Sequence, residues 1–351
     1  MNKKLIQMEH HVDDYECMWN GIEDLYLQGT NESLPPSFFF ILSGFGSFCY
    51  RKTDKSEIKR MVALGDGRTR KMYEFLAPIV GFEYRHFEHS AFEKALWRAK
   101  AEIDLGYPCV LGALDMYELP YYEKLYHKDH IPFHYVMMVG YDEEAQCIYI
   151  NDCGRADTQI LSYEELRLAW NCSYAGLSKP NTVCTVRMNS SRNPYEIAKD
   201  ALRQKRESFL NPPVGFLGYR GFCKMISDLP EWKKELSKEE YDKIFANMVP
   251  FFGTVPTVPN ALRGIDRPDE VAFGGGFDKI STVLQMLGQK YDDRNMTEAA
   301  QVFAQGAGVI SRIKDIMVTY LVGEEDQTEE LPARFAQVAE IMKQGFLLLS
   351  F

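Results

Sequence analysis

Residues 134–152 read HYVMMVGYDEEAQCIYIND. Two apolar runs, HYVMMVGY (134–141) and CIYIND (147–152), flank the acidic stretch DEEAQ (142–146). Such runs bounded by a polar break read as two neighbouring strands. The break is longer than a two-residue turn, so the hairpin closes through a wider loop. This pair sets the fold class, because the flanking segments supply more strands and several helices.

Upstream, MWNGIEDLYLQGT (18–30) predicts a short amphipathic helix ended by Gly29. NESLPP is a loop, SFFFILSG a buried helical turn and SFCYRK a strand. SEIKRMVAL (56–64) and TRKMYEFLAPIV (69–80) have helical spacing. GFEYRHFEH (81–89) alternates as a strand does. SAFEKALWRAKAEIDLG (90–106) predicts a helix with Ser90 as cap and Gly106 as stop, and PCVLGALDM a buried strand. Downstream, SYEELRLAW is a short helix and TVCTVRM a strand. Helices followed by neighbouring strands imply an α+β domain with an antiparallel sheet at residues 1–189.

From residue 190 the pattern is helical. Six segments carry it, beginning NPYEIAK, GYRGFCK, SKEEYDK, FDKISTV, TEAAQVF and LPARFAQ. The breaks at 211–218, 253–269 and 323–330 are loops, and FGGGF (273–277) is a hinge without the Lys-Ser/Thr of a phosphate loop. An all-α domain over 190–351 is expected, able to support a homodimer or to form a lid or acceptor wall over a substrate.

A chain of 351 residues at 46% hydrophobic and 26% charged suits a soluble protein of about two domains. The net charge of −10 disfavours nucleic acid and anionic membrane surfaces. No apolar run approaches the ~18 residues of a membrane span. The start MNKKLIQMEHHVDDYEC lacks a secretory core. The eight cysteines, spread over residues 17 to 223, form no CxxC pair, so a reduced cytoplasmic setting is expected.

Cys17 precedes the first helix, His134 opens one strand of the hairpin and Asp152 ends the other. A thiol is a poor nucleophile until deprotonated, and a helix N-terminus and an imidazolium both stabilise a thiolate. A carboxylate on the far ring nitrogen fixes the tautomer. Taken singly, Cys17 also reads as an inert apolar filler, His134 as a structural residue and Asp152 as the start of the turn DCGRAD. Cys153 is the rival nucleophile, without a following helix. The other cysteines read as packing residues. His127, His130 and His134 in HKDHIPFH fit no strong zinc spacing, and Pro132 breaks any helix, so no metal is expected. His127 and His130 belong to a loop at the cleft rim, and His86 and His89 to an exposed strand end. Tyr117, Tyr121, Tyr122 and Tyr126 either wall a cleft or pack on the sheet.

The order of Cys, a strand His and an acid on the next strand resembles papain-like cysteine proteins. Residues 134–170 are similar to the bacteriocin-processing (C39-like) branch. GYPCVLGALDMYELPYY (106–122) followed by HYVMMVGYD resembles the butirosin-biosynthesis protein H family, as does GYRGFCKMISDLPEW (218–232) in its helical domain. The resemblance implies a papain-like fold and an acyltransferase moving an acyl group from a phosphopantetheine-bearing carrier protein to a small-molecule amine, without a cofactor. Cys17 would be the nucleophile, His134 the base and Asp152 the orienting acid. Papain-like enzymes carry Gln six residues before the cysteine as oxyanion donor; this chain has His11, whose ring or the Cys17 backbone N–H would serve instead. A cysteine hydrolase with the same triad, and an inactive binding protein of the same fold, are the alternatives.

Overall fold

The computed structural model describes residues 3–13, 16–173, 179–252 and 276–351. In chain order, the elements begin with β1 (Lys3–Leu5), α1 (Cys17–Thr30), α2 (Phe38–Gly44), β2 (Phe48–Lys52) and β3 (Arg60–Leu64). Next come α3 (Thr69–Val80), β4 (Phe82–Glu88), α4 (Phe92–Asp104), β5 (Cys109–Leu114), β6 (His134–Asp142) and β7 (Cys147–Asn151). Then follow β8 (Gln159–Ser162), α5 (Tyr163–Trp170), β9 (Thr182–Met188), and helices over Pro194–Leu210, Gly218–Asp228, Trp232–Glu235 and Lys238–Phe252. The last three helices are Phe277–Tyr291, Arg294–Leu321 and Leu331–Leu348. The protein is therefore mixed α and β, with an antiparallel sheet and a helical C-terminal region.

The chain forms two compact units. Among described residues, the first holds 3–13, 16–33, 67–173 and 179–193, and the second holds 34–66, 194–252 and 276–351. A single cut at 189/190 does not reproduce this grouping, because α2, β2 and β3 pack with the helices that follow residue 194. The expected loop at 253–269 and the first three residues of FGGGF lie outside the described residues.

The first unit is built on a seven-stranded sheet in the order β4-β9-β5-β6-β7-β8, with β1 also pairing with β6. Every pairing is antiparallel. β6 is buried along nearly its whole length. Its Val136 and Met138 join Cys109 and Leu111 of β5 in one core with Ala95, Leu96 and Ala99 of α4 and with Trp170 of α5. Met137 faces α1 on the other side, where a Cβ on Gly21 would meet it at 2.6 Å. Helices on both faces explain why 134–141 is a continuous apolar run instead of an alternating one. The hairpin register sets Met137 opposite Asn151, so His134 at the start of β6 and Asp152 just past β7 emerge at one sheet end.

In the second unit β2 and β3 form an antiparallel hairpin. Phe48 stacks on Phe222 at 3.7 Å and Tyr50 on Trp232 at 6.0 Å. The Tyr50 N–H donates to the Phe216 carbonyl at 2.9 Å, extending the hairpin edge toward the helical region. Phe45 meets Phe277 and Phe303 edge-on. Among the described residues no helix is long and apolar enough to cross a membrane.

Four local expectations need correction. SEIKRMVAL is not helical: its second half is β3, where Arg60, Val62 and Leu64 point inward with a period of two. α1 runs past Gly29 to Thr30 and is capped by Asn31 in the left-handed region at φ 57°. α4 starts after Ala91, with no side-chain cap, so Ser90 does not serve. β1 and β8, of three and four residues, were not foreseen.

β1 lies so close to β6 that a Cβ on Gly140 would stand 2.4 Å from the Lys4 carbonyl oxygen. Gly140→Ala is expected to destabilise the protein by about 1–3 kcal/mol by forcing these strands apart. Urea denaturation checks this; an unchanged midpoint would contradict the close packing.

Candidate active site

Cys17 is the first residue of α1, and no side chain caps that end of the helix. The Glu16 carbonyl accepts from Trp19 N at 2.6 Å and Asn20 N at 3.0 Å, closing the first turn. The positive end of the helix dipole therefore lies at the sulfur. Two contacts fix the turn in place: Tyr73 of α3 donates its hydroxyl to the Met18 carbonyl, and Trp19 meets the Tyr73 ring edge-on at 4.8 Å. Gly21 stands one helical turn after Cys17 on the same face and seats it against Met137 of β6. The sulfur thereby comes close enough to His134 to act on the charge of its ring.

His134 is buried, and its Nε2 donates to Asp152 Oδ2 at 2.8 Å. Nδ1 is then the nitrogen left to exchange a proton with the thiol. Burial works against a charged ring, but the Asp152 carboxylate and the Cys17 sulfur outweigh it and raise the His134 pKa to about 10. Burial likewise opposes the Asp152 charge. His134, Tyr122 and Tyr121 overcome it and hold the carboxyl well below the usual range. The structure thus joins Cys17, His134 and Asp152 in one network. Asp152 also starts the turn: its carbonyl accepts from Arg155 N at 2.9 Å and its Oδ1 from Gly154 N at 3.2 Å. Asp152 therefore both starts the turn and accepts from His134.

Three further residues take part in ways the sequence did not show: Tyr121 and Tyr122 neither simply wall a cleft nor simply pack on the sheet, and His10 was not singled out. Tyr121 donates to Asp152 Oδ2 and Tyr122 to Oδ1, each at 2.7 Å. His10, rather than His11, reaches the site. Its Nδ1 donates to Asp24 Oδ2 at 2.7 Å, and its Nε2 to the carbonyls of Asp152 and Arg155 at 3.0 Å each. Both ring nitrogens face atoms that can only accept, so His10 is an imidazolium. It ties the helix carrying Cys17 to the turn carrying Asp152.

The expected oxyanion role of His11 is not what the structure supports. Its Nδ1 lies 2.5 Å from Asp24 Oδ1 and its Nε2 3.4 Å from Glu23 Oε2, so both ring nitrogens serve carboxylates. Burial opposes its charge, yet Asp24 and Glu23 raise its pKa to about 10.

Cys153 comes near: its sulfur, a His134 ring nitrogen and an Asp152 oxygen lie within 4.8 Å of one another. It is only 1% exposed, whereas Cys17 is half-buried and reachable. All eight cysteines are free thiols; Cys223 is exposed and not the packing residue expected. Two groups have metal-like spacing: His134, Asp152 and Cys153, and His11, Asp13 and Glu23. In the first, Asp152 already accepts four hydrogen bonds; in the second, the His11 ring is taken by Asp24 and Glu23. His127 and His130 are exposed and bond to Glu118 and Asp115, with the Tyr117 ring stacked 4.0 Å from His130. His86 is less exposed than expected; its Nδ1 meets the Tyr84 hydroxyl at 2.9 Å, and burial lowers its pKa.

The shifts give a pH window. The ordinary histidine value is 6.5. Raised values for His134 and His11 mean stability fully present below that and lost as pH rises through about 10, and the raised value of His10 acts in the same direction. Lowered values for Asp152 and Asp24 mean stability present above their ordinary 3.8 and lost as pH falls through the lowered values. These are two views of the same pairs. Thermal midpoints should therefore fall progressively as pH rises from 6.5 toward about 10. Asp152→Ala, which strands a buried imidazolium, should cost about 3–5 kcal/mol in urea denaturation at neutral pH.

Residues 16–153 match the family model described as Butirosin biosynthesis protein H, N-terminal. The match starts one residue before Cys17 and ends one residue after Asp152. No curated protein matches the chain.

Proposed function

From the membership of residues 16–153 in the butirosin biosynthesis protein H-like family, we propose that the protein is an acyltransferase of antibiotic biosynthesis. It acts in the cytoplasm with a papain-like arrangement of Cys17, His134 and Asp152. The observation that carries the reading is the cluster itself: a half-buried thiol at a helix N-terminus, close enough to an imidazole to raise its pKa, with a ring nitrogen of that imidazole donating to a buried carboxylate.

The donor is an acyl thioester on the phosphopantetheine arm of a carrier protein, and the acceptor is a small-molecule amine. With the proton of the Cys17–His134 pair on Nδ1, the sulfur attacks the thioester carbonyl. The C–S bond to the carrier breaks, and the departing thiolate takes the proton from His134. An acyl-Cys17 thioester remains. The amine then attacks this carbonyl, His134 accepts the amine proton, and the C–S bond to Cys17 breaks to leave an amide and the Cys17–His134 pair. Asp152 holds the ring in one tautomer and stabilises its charge in both halves. The Cys17 backbone N–H stabilises the oxyanion. Thioester exchange is close to balanced, so amide formation drives the sequence.

A short-chain acyl pantetheine thioester, standing in for the carrier arm, tests the proposal with a panel of primary amines. Mass spectrometry should find the acyl group on Cys17 and an amide product. Cys17→Ala and His134→Gln should lower turnover by about a thousandfold or more. Free acid in place of amide would make the protein a hydrolase. Full turnover by Cys17→Ala would end the proposal, and an unlabelled Cys17 would favour an inactive scaffold.

A further inference from the structure

The Asp152 carboxylate is fully buried and divided between donors in pairs. Oδ2 accepts from His134 Nε2 at 2.8 Å and from the Tyr121 hydroxyl at 2.7 Å. Oδ1 accepts from the Tyr122 hydroxyl at 2.7 Å and from Gly154 N at 3.2 Å. A carboxylate removed from water has no other source of stabilisation, so each donor neutralises a share of its charge. Tyr121 and His134 draw on the same oxygen. Tyr122 and Gly154 pin the opposite oxygen, which stops the carboxylate from turning away from the ring.

We propose that Tyr121 and Tyr122 are positioning residues for the acyl-transfer site: Tyr122 orients the Asp152 carboxylate, and Tyr121 competes with His134 for one of its oxygens and so limits how tightly the acid holds the ring. The inference rests on the Cys17–His134–Asp152 reading. The two tyrosines are themselves held in place. The Arg155 guanidinium lies 4.3 Å from the Tyr122 ring centre and donates to the Tyr121 carbonyl at 2.6 Å, and Tyr122 meets the His134 ring edge-on at 5.7 Å. Burial and the neighbouring carboxylate push both phenols well up, which keeps them in the donating form. The other titratable or charged groups facing the cluster are Cys17 from α1, Cys153 and Arg155 from the turn after β7, and His10, which donates to the Asp152 carbonyl while paired with Asp24.

Removing the Tyr121 hydroxyl returns negative charge to Oδ2, where His134 binds. The ring should then hold its proton more tightly. The decisive measurement is the titration midpoint of the His134 ring nitrogens by 15N NMR, assigned by their loss in His134→Gln. It is made in the Cys17→Ala background, because the sulfur raises the midpoint and its removal brings the titration lower. Tyr121→Phe should raise the midpoint by about half a unit to one unit. Replacing Tyr121 with 3-fluorotyrosine, a stronger donor of nearly unchanged shape, should lower it. Tyr122→Phe should move it less, and with Cys17 present should reduce kcat while leaving KM nearly unchanged.

Opposite shifts for the phenylalanine and fluorotyrosine variants cannot come from altered packing, since the fluorinated ring preserves the fold. No shift in either, or a shift of the same sign in both, would overturn the competition. Shifts of the expected signs without acyl transfer by the wild-type protein would leave this inference standing and remove the function proposed above. Amide formation with a flat response to both variants would do the reverse.

Discussion

A charged pair placed where water cannot reach it organises the first unit. His134 and Asp152 are 5% and 0% exposed, and both carry charge at neutral pH. Burying two ions costs several kcal/mol each, and their mutual attraction offsets this only if every remaining lone pair and N–H is also satisfied. Much of the surrounding structure answers that requirement. Two phenols and an amide complete the carboxylate, and the nearby Cys17 sulfur favours the charged ring. His10 then secures the turn from outside by taking its carbonyls. The chemistry assigned to Cys17 needs a ring that cannot rotate, and this dense set of partners supplies it.

The sheet makes the arrangement geometrically available. An antiparallel hairpin returns the chain to the sheet end from which it left, so residues 134 and 152 meet although 18 positions separate them. Cys17 arrives from a different part of the chain, and its position depends on how closely α1 can approach β6. Glycine at position 21 permits that approach, since any larger side chain would strike Met137. A helix held further out would leave the sulfur short of the ring.

The parts legible in the sequence were those with a strong local signal. The hairpin, β5 and β9 showed as apolar runs, and the six C-terminal segments showed as helical periods. The triad was read from residue type and order, and the geometry brings those three residues together. What escaped reading depended on partners distant in the chain. β1 and β8 are too short to carry a period and exist because longer strands pair with them. SEIKRMVAL was drawn into a strand by β2, against its helical spacing. His10 and His11 are adjacent and alike in type, so nothing local shows that His10 turns toward the Asp152 carbonyl while His11 turns to Glu23. The LPYY stretch announced aromatic density, but only the path of the loop before β6 aims its hydroxyls at a carboxylate.

Among the described residues the chain crosses between its two units at 33/34, 66/67 and 193/194. The stretch that matches a known N-terminal family therefore encloses α2, β2 and β3, whose aromatic side chains complete the second unit. Truncation after residue 190 would not liberate one compact unit, because it divides the second. It would leave Phe45, Phe48 and Tyr50 without the rings they pack on, as an adhesive surface on the shortened polypeptide. No single cut through the polypeptide can separate the two units, since each is assembled from non-contiguous stretches.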